Sequence, residues 1–185
     1  MSTLVLKMSM SLDGYVARTD GSNDWIFPSY SDDATAWTVD TLRHASAHLM
    51  GSTTYRGMAA HWPNDDSAFA ASMNSIPKIV FSATMHDSIW DETTFVDGDL
   101  ATAIAELKQQ QTDGYLLAHG GARFVRSLCR TGLIDEVRLL VHPVVLGSGE
   151  RIFPEPMDLD PITTTTFSSG AVGHICRRTV TASAA

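Results

Sequence analysis

Short apolar runs that alternate with helical segments constrain the fold of this chain more than any other feature of its sequence. Residues 4–8, 48–50, 78–82, 115–118 and 134–141 have the length and composition of buried strands. Helices are predicted between them, over residues 31–47 (capped by Ser31 or Asp32), 52–60, 100–111 (capped by Asp99) and 122–130. Strands separated by helices predict a mostly parallel sheet that is covered on both faces.

The end of the chain breaks this alternation. Residues 163–167 and 174–181 flank Ser168-Ser169-Gly170 and are typical of an antiparallel hairpin. The predicted fold is therefore an α/β sandwich of three layers, with a mixed, mostly parallel central sheet and a C-terminal antiparallel hairpin. The 185 residues predict one domain, 1–185, because chains divide into several domains mainly above roughly 250 residues.

Charge and composition argue against several classes of partner. The formal net charge is -8 and no Lys- or Arg-rich block is present, so we expect no nucleic-acid partner. The apolar runs are shorter than the ~20 residues that span a membrane, and the N-terminus has no signal-peptide pattern. We therefore expect a cytoplasmic protein without a membrane partner. Cys129, Cys176 and the seven histidines form no ligand pattern, so we predict no metal site.

Two segments place glycine between a predicted strand and a predicted helix. They are Met50-Gly51-Ser52-Thr53-Thr54 and Ala118-His119-Gly120-Gly121-Ala122. Glycine lets an anion approach the free N–H groups at a helix start, so two such junctions in one sheet favour a two-ended ligand such as a dinucleotide. The alternative is that both are only tight turns. The sequence contains no G-x-G-x-x-G or Walker pattern, so neither a Rossmann domain nor an NTPase is indicated.

Asp13 and Trp25 are the other candidate site residues. Asp13 lies before Gly14 at the end of a buried strand, where its carboxylate could face a cleft. Aspartate before glycine is also common turn chemistry. Trp25 could form the wall of a pocket or pack in the core.

In chain order, four segments of this sequence resemble stand-alone reductases of the dihydrofolate reductase-like superfamily. Those reductases are similar to the C-terminal reductase domain of the bifunctional riboflavin-biosynthesis deaminase-reductase. The segments are 4–17, which contains Ser11-Leu12-Asp13-Gly14; 50–55; His119-Gly120-Gly121-Ala122; and 132–154, which contains Leu146-Gly147-Ser148-Gly149. The resemblance spans nearly the whole chain.

The resemblance implies NADPH lying across the strand ends, a small heterocyclic substrate and a homodimer. The residues that it implies for the cofactor are Val16, Ala17, Gly51, Ser52, Thr53, Thr54, Ser82, Ala83, Thr84, Gly120, Gly121, Ala122 and Arg123. In this superfamily the Gly-Gly peptide bond is often cis. Asp13 is the expected catalytic and substrate-binding residue, and Trp25 the expected wall of the substrate pocket.

Three departures from the superfamily pattern bear on the substrate and the cofactor. Ser52 stands where dihydrofolate reductases carry a basic residue, so we expect Arg56, one helical turn later, to pair with the 2′-phosphate of NADPH. Asp32 and Asp33 are out of register with the acidic proton donor of those enzymes. Residues 55–63 replace the aspartate-asparagine-proline segment of the riboflavin branch.

The sequence therefore predicts an NADPH-dependent reductase of a small heterocycle. A 5-amino-6-(5-phosphoribosylamino)uracil reductase-like activity in riboflavin biosynthesis is the first possibility. A dinucleotide-binding module without turnover and a dihydrofolate reductase are the alternatives.

Overall fold

The computed structural model describes residues 1–110 and 113–179, and within them the chain forms one eight-stranded sheet with helices on both faces. The strands are β1 (Leu4–Ser11), β2 (Ala45–Gly51), β3 (Lys78–Phe81), β4 (Thr93–Val96), β5 (Tyr115–Ala118), β6 (Glu136–His142), β7 (Leu159–Thr166) and β8 (Val172–Arg178). The α-helices are α1 (Asp32–Arg43), α2 (Ser52–His61), α3 (Ala70–Ser75), α4 (Leu100–Gln109) and α5 (Ala122–Thr131). Short 3-10 helices cover Asp24–Ser29 and Trp62–Asn64.

The order of strands across the sheet is β4-β3-β2-β5-β1-β6-β8-β7. The first six strands in that order are parallel to one another, and β8 runs antiparallel to both β6 and β7. The predicted mixed sheet with a C-terminal antiparallel hairpin is therefore confirmed. Because β1 to β6 are parallel, their carboxyl ends meet along one side of the sheet, here called the carboxyl edge.

Side chains of β1 alternate between the two helical layers, as the pleat of a strand requires. Leu4, Leu6 and Met8 belong to one core cluster with Ile104 of α4 and with Val125 and Leu128 of α5. Val5 belongs to a second cluster with Leu42 of α1, Tyr55 of α2 and Met73 of α3. The sheet is thus the middle layer, with α4 and α5 on one face and α1, α2 and α3 on the other.

Several predicted boundaries differ from the structure. The helix predicted to reach residue 47 ends at Arg43, because Ala45 and Ala47 pair with β5 and the sheet overrides their helix propensity. The short elements α3 and β4 carry too few residues for a periodic pattern, so neither was predicted. The extended segment predicted for 15–17 contributes only an isolated bridge between Ala17 and Glu150. The expected limits at Gln111 and Thr181 lie outside the described residues.

Three histidines are buried near the carboxyl edge. His48 and His142 have no exposed surface, and His119 is 7% exposed. Burial lowers the pKa of His48 and of His142 from 6.5 to about 4, and it lowers the pKa of His119 well below 6.5. All three imidazoles are therefore neutral at pH 7.

These pKa shifts predict that the protein is less stable at pH 5 than at pH 7. Between about pH 6.5 and pH 4 the unfolded chain binds protons on these histidines while the folded chain does not. When the pH is lowered from 7 to 5, the free energy of unfolding should therefore fall. His48 and His142 should each contribute about 2 kcal/mol to this decrease. Urea unfolding at the two pH values measures the change, and His142→Phe should make it smaller. Equal stability at both pH values would contradict the burial of neutral imidazoles.

Candidate functional site

A cleft of about 490 Å³ lies at the carboxyl edge. The carboxyl ends of β2, β3 and β4 form its floor, and the first turns of α2 and α5 form its sides. The predicted cofactor residues that line it are Gly51, Ser52, Thr53, Thr54, Ser82, Ala83, Thr84, Gly121 and Arg123. Those that do not line it are Val16, Ala17, Arg56, Gly120 and Ala122. The structure thus brings three separate segments of the predicted set together around one space.

Helices α2 and α5 both begin at this cleft without a capping side chain. Their N-cap residues are Gly51 and Gly121, neither of which can supply one. Helix α4 differs, because the Asp99 carboxylate accepts a hydrogen bond from the Thr102 backbone N–H at 2.9 Å. The first N–H groups of α2 and α5 are therefore left for another acceptor, and the helix dipoles favour a negative one.

Thr54, in the first turn of α2, packs against the start of α5. Its position explains why residues 120 and 121 are both glycine. Gly120 and Gly121 have φ values of +87° and +76°, which disfavour other residues. A Cβ on Gly120 would lie 2.7 Å from Thr54 Cγ2, and a Cβ on Gly121 would lie 2.7 Å from Thr54 Oγ1. The Gly120–Gly121 peptide bond is trans. These glycines are therefore required by packing within the chain, whatever else approaches them.

The charged residues of the cleft are Arg123 on α5 and Asp97 after β4. Both side chains are exposed, and the Asp97 carboxylate accepts a hydrogen bond from the Gly98 N–H at 2.7 Å. Arg56 is also exposed but stands outside the lining. The structure thus offers Arg123 to an anionic ligand in the cleft, where the sequence favoured Arg56.

Asp13 fastens two loops to each other at the end of β1. Its carboxylate accepts hydrogen bonds from Ser11 Oγ at 2.7 Å, from the Leu146 N–H at 3.1 Å and from the Gly147 N–H at 2.7 Å. The hydrogen bond from Ser11 and those from the backbone of Leu146 and Gly147 lower the pKa of Asp13 to about 2. Asp13 does not line the cleft, and its contact with a substrate stays a prediction.

A second group of polar residues is buried on the α1 face of the sheet. We call Lys7, Trp25, His48, His119 and His142 the buried nitrogen cluster; each is at most 9% exposed. Lys7 Nζ donates to Tyr30 Oη at 3.2 Å, and the imidazoles of His48 and His119 are 4.7 Å apart. The Trp25 ring stands edge-on to His142 at 5.5 Å.

Of these five residues, the sequence singled out only Trp25 as a candidate site residue, and it did not indicate which side chains lie next to Trp25. Two signals were present: Lys7 interrupts an otherwise apolar strand, and His119 directly precedes Gly120-Gly121. Neither signal reveals that four adjacent strands carry these residues.

The two acidic residues at the start of α1 face away from this cluster. Asp33 accepts hydrogen bonds from the Ser168 N–H at 2.8 Å and from Ser168 Oγ at 2.9 Å, which ties α1 to the C-terminal hairpin. Asp32 is exposed. Over residues 1–110 and 113–179, no group of three or more His, Cys, Asp and Glu residues could hold a metal ion. No helix among the same residues has the length and apolar character needed to cross a membrane.

Comparisons with known proteins agree with this geometry. Residues 2–173 match the family model described as the RibD C-terminal domain. Uncharacterized protein YwjB of Bacillus subtilis (strain 168) is 33% identical over 161 residues, which are 82% of each chain.

Two solved structures share the fold at low identity. The diaminohydroxyphosphoribosylaminopyrimidine deaminase/5-amino-6-(5-phosphoribosylamino)uracil reductase of Thermotoga maritima is 16% identical, with a TM-score of 0.68 over 96% of this chain and 57% of that one. Dihydrofolate reductase from Enterococcus faecalis, complexed with NADP(H) and RAB-propyl, is 12% identical, with a TM-score of 0.66 over 96% of this chain and 97% of that one. The family match confirms the predicted resemblance to the C-terminal domain of the riboflavin-biosynthesis protein, and the two structures show that the fold is dihydrofolate reductase-like.

We predict that Asp13→Ala lowers the melting temperature and leaves dinucleotide affinity unchanged. The substitution leaves the N–H groups of Leu146 and Gly147 without their acceptor. Asp20→Ala is the control, since the Asp20 carboxylate accepts only from its own exposed turn, at the Ser22 N–H. Calorimetric melting and binding titrations on both variants measure the effects. If Asp13→Ala melts like Asp20→Ala but loses substrate turnover, Asp13 acts on the substrate instead.

Proposed function

The chain belongs to the RibD C-terminal domain family, and from that premise we propose that it is an NADPH-dependent reductase of a small planar heterocycle. One observation carries the proposal: the starts of α2 and α5, both without capping side chains, flank a single cleft. The pyrophosphate of a dinucleotide carries two negative groups in close succession. It can therefore accept hydrogen bonds from both helix starts at once.

The residues of the cleft fit a dinucleotide along its length. The amides of Ser52, Thr53 and Thr54 on one side and of Gly121 and Arg123 on the other would hold the pyrophosphate. Ser82, Ala83 and Thr84 would flank the adenosine ribose. Val16, Ala17, Gly120 and Ala122 would complete the site towards the nicotinamide and the pyrophosphate. The bound cofactor supplies the hydride, and the protein supplies binding and orientation.

Arg123 is our candidate for the 2′-phosphate that distinguishes NADPH from NADH. It is the cationic residue of the cleft lining, whereas Arg126 one turn on is bound to Glu150 Oε2 at 2.6 Å. A charge-assisted hydrogen bond to phosphate is worth about 1.5–3 kcal/mol. Asp97 in the same lining opposes this preference, so we expect NADPH to be favoured over NADH by about tenfold, or roughly 1.4 kcal/mol.

The proposed substrate is a heterocycle related to 5-amino-6-(5-phosphoribosylamino)uracil, and the proposed assembly is a homodimer. We do not propose dihydrofolate reduction, because reduction of the pterin ring needs a donor that can hand over a proton within the site. Of the two acids nearest in sequence to the expected position, Asp32 is exposed and Asp33 is held by Ser31 and Ser168. The hydrogen bond from Ser31, followed by those from Ser168, lowers the pKa of Asp33 to about 2.

We predict that Ser52→Asp weakens NADPH binding at least tenfold without unfolding the protein. A carboxylate at the first position of α2 favours the helix through its dipole but repels a phosphate at the same N–H groups. Ser52→Asn is the matched control, because it adds similar volume without charge. Isothermal titration of NADPH into each variant gives the affinities. Equal affinities for the two variants would remove the pyrophosphate from the start of α2.

Arg123→Gln should weaken NADPH binding about tenfold and NADH binding by less than twofold. Only NADPH carries the 2′-phosphate that the guanidinium would bind. Arg130→Gln is the control, since Arg130 is exposed in the last turn of the same helix. Equal losses for the two cofactors would assign Arg123 to the pyrophosphate. Titrating Arg56→Gln in parallel would reveal whether Arg56 takes the 2′-phosphate instead.

A further inference from the structure

The two edge strands of the sheet differ in how much unpaired backbone they expose. β4 is the first strand in the order across the sheet and β7 is the last. β4 has four residues and three of them are half-buried, whereas β7 has eight residues and six of them are exposed. Among the described residues, β7 pairs with β8 alone. The outer side of β7 therefore presents a long row of unpaired N–H and C=O groups.

Only the first half of β7 carries the features that normally protect a sheet edge. Charged residues, prolines and bulges discourage a further strand from pairing. In β7 these are Asp160, Pro161 and the shift of register between Pro161 and Thr163. Residues 162–166 carry no charge, no proline and no glycine, and four of the five are threonine, which favours strands. This second half is therefore open to another strand.

The side chains of residues 162–166 fit an identical strand that runs antiparallel. A two-fold axis perpendicular to the sheet at Thr164 would place Thr163 opposite Thr165 of the other copy, and Thr164 opposite itself. Pairs of threonines across antiparallel strands stabilise the pairing. The same axis would bring Ile162, which is 49% exposed, next to Thr166 of the other copy. A contact of this kind is closed after two chains, because each uses the same surface.

Charge also favours a second copy over a foreign strand. The chain has a formal net charge of -8, so two copies can approach closely only where neither brings carboxylates to the contact. Residues 162–166 meet this condition, and the nearest acidic residue on β7, Asp160, stands opposite Arg177 of β8. A foreign strand is usually selected by side-chain pockets or charges beside the edge. Repeated threonines offer neither, whereas an identical strand needs neither.

We propose that residues 162–166 of β7 pair antiparallel with the same residues of a second copy, about a two-fold axis at Thr164. Two eight-stranded sheets would thereby join into one continuous sheet. The inference rests on the homodimer within the proposed function and assigns its surface. The dinucleotide cleft lies at β2, β3 and β4, at the other end of the strand order. Each copy therefore keeps its cleft open in this dimer.

Cysteine cross-linking locates the axis. Opposed residues of antiparallel strands have Cα atoms about 4.5–5.5 Å apart, which a disulfide can span. Thr164→Cys should therefore form a disulfide-linked dimer in oxidised glutathione. Thr166→Cys is the matched control, because Thr166 is exposed on the same face of β7 but would lie about 13 Å from its copy, at ~3.3 Å per residue. Non-reducing electrophoresis compares the two, and the wild-type chain gives the background from Cys129 and Cys176.

A charge on the axis should separate the two copies. Thr164→Lys places two ammonium groups side by side, so the dissociation constant of the dimer should rise roughly tenfold or more. Analytical ultracentrifugation measures it, and the wild type should sediment with twice the 20.1 kDa mass of one chain. Thr94→Lys is the control, because Thr94 is exposed in β4, the opposite edge strand. Thr164→Lys should bind NADP⁺ as the wild type does, since β7 is remote from the cleft.

A wild-type protein that sediments as a monomer would overturn the proposal. So would a dimer that Thr164→Lys leaves intact, or one that cross-links equally well through positions 164 and 166. If Thr164→Lys does not fold, the comparison of the two cysteine variants decides alone. These results leave the dinucleotide cleft untouched. Failure of the wild type to bind NADP⁺ would instead remove the proposed reductase, and the pairing of β7 would stand or fall on the cross-link.

Discussion

Backbone hydrogen bonds between β2, β5, β1 and β6 hold four parallel strands side by side, and the site depends on this pairing. The register pairs Ser11 with His142 and Leu49 with Ala118, so the carboxyl ends of neighbouring strands stop close together. Because each parallel connection must cross back over the sheet, helices begin where strands end. One pairing pattern therefore places two helix starts and four polar side chains at the same edge.

The two halves of the site leave polar groups unsatisfied in different ways. In the cleft, the first backbone N–H groups of α2 and α5 have no side-chain cap. In the buried nitrogen cluster, individual side-chain nitrogens of Trp25, His48, His119 and His142 have no hydrogen-bond partner among the described residues. At α4, by contrast, the Asp99 carboxylate accepts a hydrogen bond from the Thr102 backbone N–H in the first turn of the helix. Thr54 packs against both Gly120 and Gly121, and His119 directly precedes them in the chain.

The sequence was sufficient for the fold class and for seven of the eight strands, because those strands and most helices are long enough to show their periodicity, whereas β4 and α3 are too short. It was also sufficient for the two segments of the cleft that begin at Gly51 and Gly121, because glycine at a strand–helix junction has a local cause. The sequence was insufficient for predicting which side chains from distant parts of the chain lie close together. The position of α5 relative to β3 and β4 decides that Arg123 lines the cleft, whereas Arg56 on α2 lies outside the lining. The polar character of His48, His119 and His142 is visible in the sequence, but their proximity follows only from the strand order.

A crystal structure of the protein with NADP⁺ tests the central claim most directly. The account predicts pyrophosphate oxygens within hydrogen-bonding distance of backbone N–H groups from both helix starts, in the first turn of α2 and the first turn of α5. It also predicts that the nicotinamide end points towards His119. A dinucleotide bound elsewhere, or held by only one of the two helices, would contradict the account.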